Sequence, residues 1–186
     1  MLRGAEAIIK KTKIIGIPAV IKYRVQKKYR VSKLDKTLRE RRTRIEARLL
    51  HKAKLAGVAC PIVLAVDDFS LTLSYISGKR PEINETMARK IGEILANLHV
   101  SNIIHGDFTP ANLLINNKSE LYVIDFGLGF FSSDIEDKAI DVYTMLKFIQ
   151  DQESKRAFLR GYGKYAKSKQ VFTRLRDIEK RVRYAF

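Results

Sequence analysis

Two short runs constrain this chain more than anything else in it: His105-Gly106-Asp107-Phe108-Thr109-Pro110-Ala111-Asn112, and then Asp125-Phe126-Gly127. Between them lie two strand-like pieces, Leu113-Leu114-Ile115 and Leu121-Tyr122-Val123-Ile124, around the turn signal Asn116-Asn117. A hairpin of that length returns the second run to the first. Two carboxylates and a carboxamide then face one another at the spacing that phosphoryl transfer from Mg-ATP demands. One Asp takes the acceptor's proton, while the Asn and the second Asp hold magnesium on the phosphates. The Asp-Phe-Gly tripeptide alone says little. Both runs in this order say a great deal.

The remaining parts of such a site have candidates upstream. Ala19-Val20-Ile21-Lys22 has the character of the kinase strand whose lysine reaches the α- and β-phosphates, with Val20 placed to lie on the adenine ring. Glu46, in Arg44-Ile45-Glu46-Ala47, is the helix carboxylate expected to pair with Lys22. Gly4-Ala5-Glu6-Ala7 sits where a first hairpin would turn over ATP, although it is not a G-x-G-x-x-G loop. Ser74 and Ile76 are also expected in the ATP site. Asp107 is expected as catalytic base, with Asn112 and Asp125 as metal ligands. His105 reads as a structural imidazole packed on the Asp-Phe-Gly region, and His99 as a core residue of a helix.

Departures from a regulated protein kinase are as informative. Gly106 stands where such kinases carry an arginine that receives the activation-loop phosphate. Thr109 occupies the place of a lysine near the γ-phosphate. Only 16 positions separate Asp125 from Asp141, and no A-P-E motif intervenes, so the usual peptide-docking platform is missing. Asp141 is expected to anchor the catalytic loop from the following helix, and 45 residues remain after it. These motifs resemble those of protein kinases, and the resemblance implies an α+β, minimal bilobal protein-kinase-like fold with a truncated C-lobe. Residues 1–76 would form an N-lobe of β-sheet plus one helix, and 77–186 a mainly helical C-lobe, with the hinge at Ser77-Gly78-Lys79.

Strand signals in the N-lobe fall at Ala7–Ile9, Lys13–Gly16, Pro18–Tyr23, Ile62–Val66 and Leu71–Ile76, the last two as a hairpin around Asp67-Asp68. A helix is predicted from Ser32 to about Leu55, with Leu38, Ile45, Leu49 and Leu50 on its apolar side and Gly57 beyond its end. Further helices are predicted over Thr86–His99, Glu136–Gln150, about Ser154–Tyr165 and Phe172–Tyr184.

The formal charge of +16 is concentrated. Lys22 to Lys54 carries 14 Lys and Arg against Asp35, Glu40 and Glu46, and so holds +11 of the total. A basic helix of this kind attracts phosphate polyanions; a solvated helix face is the other reading. No stretch approaches the roughly 20 apolar residues of a membrane span, and no charged leader with a cleavage site opens the chain. With the single Cys60, these features point to the cytoplasm and away from disulfides.

Taken together, Gly4-Ala5-Glu6-Ala7, Arg24-Val25-Gln26-Lys27-Lys28-Tyr29-Arg30 with Leu34-Asp35, Arg44-Ile45-Glu46-Ala47, His105–Thr109, Ile124–Gly129 and Glu136-Asp137-Lys138-Ala139 resemble one family. It is the small atypical Ser/Thr kinase of the KEOPS (EKC) complex, the PRPK-type kinase, and the likeness runs from about Gly4 to Asp141. That resemblance implies ATP and Mg2+ as cofactors, with Lys22, Glu46, Asp107, Asn112 and Asp125 as their residues. It further implies a threonylcarbamoyltransferase subunit and other KEOPS subunits as partners, and service to tRNA threonylcarbamoyladenosine formation. ATP hydrolysis would matter there more than protein phosphorylation. tRNA contact would come from the basic N-lobe helix and a basic C-terminal tail, although Arg181-Val182-Arg183-Tyr184-Ala185-Phe186 lacks that tail's usual glycine. A general Ser/Thr protein kinase and a catalytically weak pseudokinase scaffold bridging subunits and tRNA are the alternatives.

Overall fold

The structure, a computed structural model, describes residues 2–3, 7–27 and 29–183. Its first part is a five-stranded antiparallel sheet in the order β1-β2-β3-β5-β4, from β1 (Leu2–Arg3), β2 (Ala7–Ile14), β3 (Ile17–Arg24), β4 (Val63–Val66) and β5 (Ser70–Ser74). The Lys13–Gly16 strand signal is corrected here. Strand β2 runs unbroken from Ala7 to Ile14, and Ile15-Gly16 forms a two-residue turn with φ of +49° and +78°. Two consecutive left-handed residues give the turn whose twist matches its flanking strands. They fix the register from Ala7↔Arg24 to Ile14↔Ile17.

Helix α1 (Ser32–Leu55) buries Asp35, Thr43, Glu46, Leu49, Leu50 and Ala53, a stripe at helical spacing that starts polar and ends apolar. Leu38 and Ile45, expected on the apolar side, are only half-buried. The start of the helix is held through charge rather than apolar packing. The Asp35 carboxylate accepts from Arg39 Nε at 2.7 Å and from the Lys27 backbone at 3.2 Å, and the Arg39 guanidinium lies 3.9 Å from the Phe69 ring centroid. Burial raises the Asp35 carboxyl, but Lys27 and Arg39 more than offset it and hold it below its ordinary value.

Past β5 the chain crosses Ser77–Lys79. Lys79 and Ile115 exchange both backbone hydrogen bonds, at 3.0 and 2.8 Å, so the linker is tied to the second half. A side-chain carbon at Gly78 would sit 2.6 Å from the Ile115 carbonyl; only glycine allows that approach. Helix α2 (Glu85–Val100) is capped by Asn84, whose side chain accepts from Met87 N at 2.9 Å. Then come β6 (Ile103–Ile104), the hairpin of β7 (Leu113–Ile115) and β8 (Leu121–Val123), β9 (Phe130–Phe131), and helices α3 (Ile135–Leu146), α4 (Gln152–Tyr162) and α5 (Ser168–Arg183). Strand β9 pairs with β6 and leads within four residues into α3. One apolar cluster runs through both halves, from Leu49, Leu50 and Leu71 to Leu95, Phe126 and Phe158. Cys60 lies inside it, and burial pushes its thiol up to about 11. Among the described residues, no helix is long and apolar enough to cross a membrane.

Candidate active site

The catalytic loop is held from behind. The Asp141 carboxylate, buried in α3, accepts the backbone N–H of His105 at 2.7 Å and that of Gly106 at 2.9 Å. It also meets His99 Nε2 at 3.4 Å, while His99 Nδ1 and the Tyr162 hydroxyl are 2.6 Å apart. Behind this lies a cation whose burial no sequence motif marks. Lys138 is almost wholly buried, donating to Asn102 Oδ1 at 2.8 Å and to the Tyr165 hydroxyl at 2.9 Å. Burial lowers the pKa of His99 and of His105, against the pull of Asp141, so both rings are neutral.

His105 packs on the Asp-Phe-Gly turn as expected. Its ring centroid is 4.8 Å from that of Phe126, and Nε2 meets the Ile124 carbonyl at 3.1 Å. Gly106 has φ +78°, and a side-chain carbon there would lie 2.4 Å from the Leu128 carbonyl. The missing arginine is therefore excluded by space as well as absent.

In front of this frame the expected residues converge. Asn112 Nδ2 donates to the Asp107 carbonyl at 2.8 Å and to Asp107 Oδ2 at 2.9 Å. Neither bond uses the amide oxygen, and Asn112 lines the cleft. Asp125 takes a left-handed φ of +61°, and its Oδ1 accepts from Gly127 N at 3.1 Å and from Lys22 Nζ at 2.7 Å. Lys22 Nζ also reaches Glu46 Oε1 at 2.6 Å. Burial raises the Asp125 carboxyl, but the Lys22 ammonium outweighs it, so this half-exposed group stays ionised.

The cleft between the sheet and the β7–β8 hairpin is lined by Val20, Lys22, Glu46, Ser74, Ile76, Asn112 and Asp125, all expected from sequence. Ile9, Pro61, Leu73, Tyr75, Leu114 and Ile124 complete its walls. Ala7 begins β2 and is buried, but does not line the cleft. Gly4, Ala5 and Glu6 lie outside the described residues. So do Tyr184, Ala185 and Phe186 of the tail, whose Arg181 donates to Glu136 at 2.8 Å. A second surprise is Arg24, whose Nη2 stands 2.5 Å from Glu46 Oε2.

The donor set fits Mg-ATP. Hard oxygens of one carboxylate and one carboxamide suit a magnesium that shares its remaining sites with phosphates. An ammonium held by a buried carboxylate suits the phosphates themselves, and the apolar walls suit a planar base.

A family model described as the RIO domain matches residues 9–133. The probable serine/threonine-protein kinase BUD32 homolog of Archaeoglobus fulgidus is 37% identical over 188 residues, which cover 97% of this chain and 94% of that protein. The probable bifunctional tRNA threonylcarbamoyladenosine biosynthesis protein of Methanosarcina acetivorans is also 37% identical, over 98% of this chain. The chain spans only 35% of that longer relative. Among solved structures, the Rio2 kinase–ADP/Mg2+–phosphoaspartate complex from Chaetomium thermophilum aligns with a TM-score of 0.68 at 13% identity, covering 99% of this chain and 70% of that one. The gentamicin–APH(2'')-IIa complex aligns at 0.61 with 16% identity, over 90% and 76%. These two likenesses establish the fold.

Proposed function

Because the chain belongs to the RIO-domain family and, within it, to the BUD32-type Ser/Thr kinases, we propose that it is the Mg-ATP-dependent kinase and ATPase subunit of the KEOPS machinery that makes threonylcarbamoyladenosine on tRNA. The observation that carries the enzymatic half is the convergence of Lys22, Glu46, Asn112 and Asp125 on one cleft, with Asp107 fixed beside it by Asn112. The bifunctional relatives named for threonylcarbamoyladenosine biosynthesis support the second half.

In this reading Lys22 binds the α- and β-phosphates and Glu46 keeps it in place. Asp125 and the Asn112 amide oxygen would hold magnesium, whose charge would offset that of the transferring phosphoryl group. Asp107 orients the attacking hydroxyl and accepts its proton. Lobes 1–76 and 77–186 would close on the nucleotide about Ser77–Lys79. With three residues between β9 and α3, little room remains for a peptide shelf, and a water or a serine hydroxyl of the chain itself is the acceptor that fits. In this reading the protein works on tRNA with a threonylcarbamoyltransferase partner, in the cytoplasm.

For tRNA contact we assign the outer face of α1. Arg41 and Arg44 are exposed there. A groove between Leu38, Arg42 and Ile45 on one side and Gly127–Phe130 on the other runs along it, and the Arg48 and Lys52 cations stand 5.7 and 5.9 Å from the Phe131 ring centroid. Cations beside exposed aromatics suit a phosphate backbone and its bases. The tail contributes less, since Glu136 takes up Arg174 and Arg181.

The deciding experiment is ATP turnover by wild type and Asp125→Ala in preparations free of contaminating ATPase. Turnover that is lost in the variant, and that rises in wild type on adding the transferase and tRNA, is expected. Unchanged turnover in Asp125→Ala would refute the assignment.

A further inference from the structure

The Lys22–Glu46 pair shares its carboxylate with a second cation. Lys22 and Arg24 are two residues apart on β3 and so point to the same face. Lys22 takes Glu46 Oε1 at 2.6 Å and Arg24 takes Oε2 at 2.5 Å. The side chains are 9%, 5% and 1% exposed for Lys22, Arg24 and Glu46. Arg24 is also fixed through its backbone, with its N–H donating to the Phe69 carbonyl at 2.8 Å and its carbonyl accepting from Arg39 at 3.4 Å. Its guanidinium reaches the Asp-Phe-Gly turn, since a side-chain carbon at Gly127 would stand 3.5 Å from Arg24 Nη2 and 3.1 Å from Lys22 Nζ.

Lys22 is meanwhile committed to Asp125 at 2.7 Å. For Asp125 to ligate a metal and Lys22 to reach phosphates, that contact must open. Were Lys22 the sole partner of Glu46, each exchange would loosen a buried carboxylate and the helix that carries it. A carboxylate oxygen buried without a donor is strongly unfavourable. Nor is a phosphorylated loop available to hold α1, because the space at Gly106 admits no arginine. A guanidinium suits the task, being charged at all relevant pH and rigid in its donor geometry.

We propose that Arg24 is a positioning residue that holds Glu46, and through it helix α1, in the catalytic arrangement while Lys22 exchanges Asp125 for nucleotide phosphates. The inference rests on the ATP-site reading, but its first test does not. In the nucleotide-free full chain, Arg24→Met and Glu46→Gln should each lower the Tm, and the double variant should fall no further than the worse single one. Additive losses would overturn the coupling.

The second test is steady-state ATP turnover. Arg24→Met should cut kcat by about 10- to 100-fold, the range seen when an orienting partner is removed, while KM for ATP moves less than about threefold. Arg24→Lys should recover part of the loss, and Arg24→Met should cost nothing more in a Glu46→Gln background. An undiminished loss in that background, carried by KM, would make Arg24 a direct phosphate ligand and sink the proposal. Wild-type kcat with a lowered Tm would reduce it to packing. If Arg24→Met does not fold, Arg24→Lys decides: reduced kcat near the wild-type Tm supports the role, and full kcat refutes it. Absence of turnover in wild type would count against the ATP-site reading, leaving the Tm cycle to judge Arg24.

Discussion

Lys22 Nζ and Asp125 Oδ1 are 2.7 Å apart across the cleft, so the lysine expected on phosphates covers the carboxylate expected on magnesium. A cation approaching Asp125 alone must compete with an ammonium already seated there. Lys22→Met removes that competitor and one positive charge a few ångströms from the site. Mg2+ affinity in the absence of nucleotide should therefore rise, by about tenfold or more at the effective dielectric of a partly buried site, even as ATP turnover is lost. Thermal shifts over a MgCl2 titration of wild type and Lys22→Met measure it. Equal shifts would place Mg2+ elsewhere.

The two buried histidines set an acid limit. Burial depresses His99 and His105 below the ordinary value of 6.5, so the unfolded chain binds protons that the folded chain refuses. Stability is then fully present above pH 6.5 and declines as pH falls toward the folded values. The slope should be about 1.4 kcal/mol per pH unit for each histidine. Asp125 and Asp35 do not contribute in this window, because their depressed values act only below the ordinary carboxylate range. Urea unfolding at pH 7.5, 6.5 and 5.5 checks the slope, and a flat profile would contradict the neutral assignment.

The α2–α4 crossing is set by two glycines that bring backbones into contact. A side-chain carbon at Gly92 would lie 2.1 Å from the Phe158 carbonyl, and one at Gly161 would lie 2.1 Å from the Arg89 carbonyl. Neither neighbour is a flexible side-chain end, so the helices must separate. Gly92→Ala or Gly161→Ala should destabilise by about 1–3 kcal/mol or more, the usual range for overpacking. Gly163→Ala, whose nearest neighbour would be at 3.1 Å, serves as the control. Denaturant midpoints of the three variants decide between them.

The catalytic half of the site was legible because its chemistry demands residues at fixed spacing: Asp107, Asn112 and Asp125 appear together, and Asp141 closes the loop behind them. Helix α1 was legible too, matching its expected span of Ser32 to Leu55. What escaped notice are the positions where tertiary structure decides. Arg24 is one cation in a run from Lys22 to Arg30, and nothing local tells which member turns inward. Asp35 and Lys138 look like surface charges by type, yet each is buried among partners, Lys27 and the same helix's Arg39 for the first, and Asn102 and Tyr165 from outside α3 for the second. Ile15 misled in the opposite sense. A β-branched residue reads as strand, whereas the hairpin required a left-handed residue there and left its side chain 96% exposed.

The basic face of α1 makes a quantitative demand on tRNA binding. Arg41 and Arg44 are exposed, with Arg44 only 3.7 Å from Asp68 at a rim where both side chains are solvated; such a pair opens readily for a phosphate. Binding driven by counterion release weakens steeply with salt, by roughly one power of salt concentration for each phosphate neutralised. Reversal at Arg41, Arg42 and Arg44 together should weaken binding across tRNA species and lower that slope by about 2–3. Phe131→Ala should behave differently. Its ring lies against Arg48 and Lys52, so its loss removes a stacking surface at a cost of about 1–3 kcal/mol per base with the salt slope unchanged. Filter binding from low to moderate salt separates the two. Unaltered affinity and slope in the triple variant would return this face to a solvated surface and move tRNA contact elsewhere.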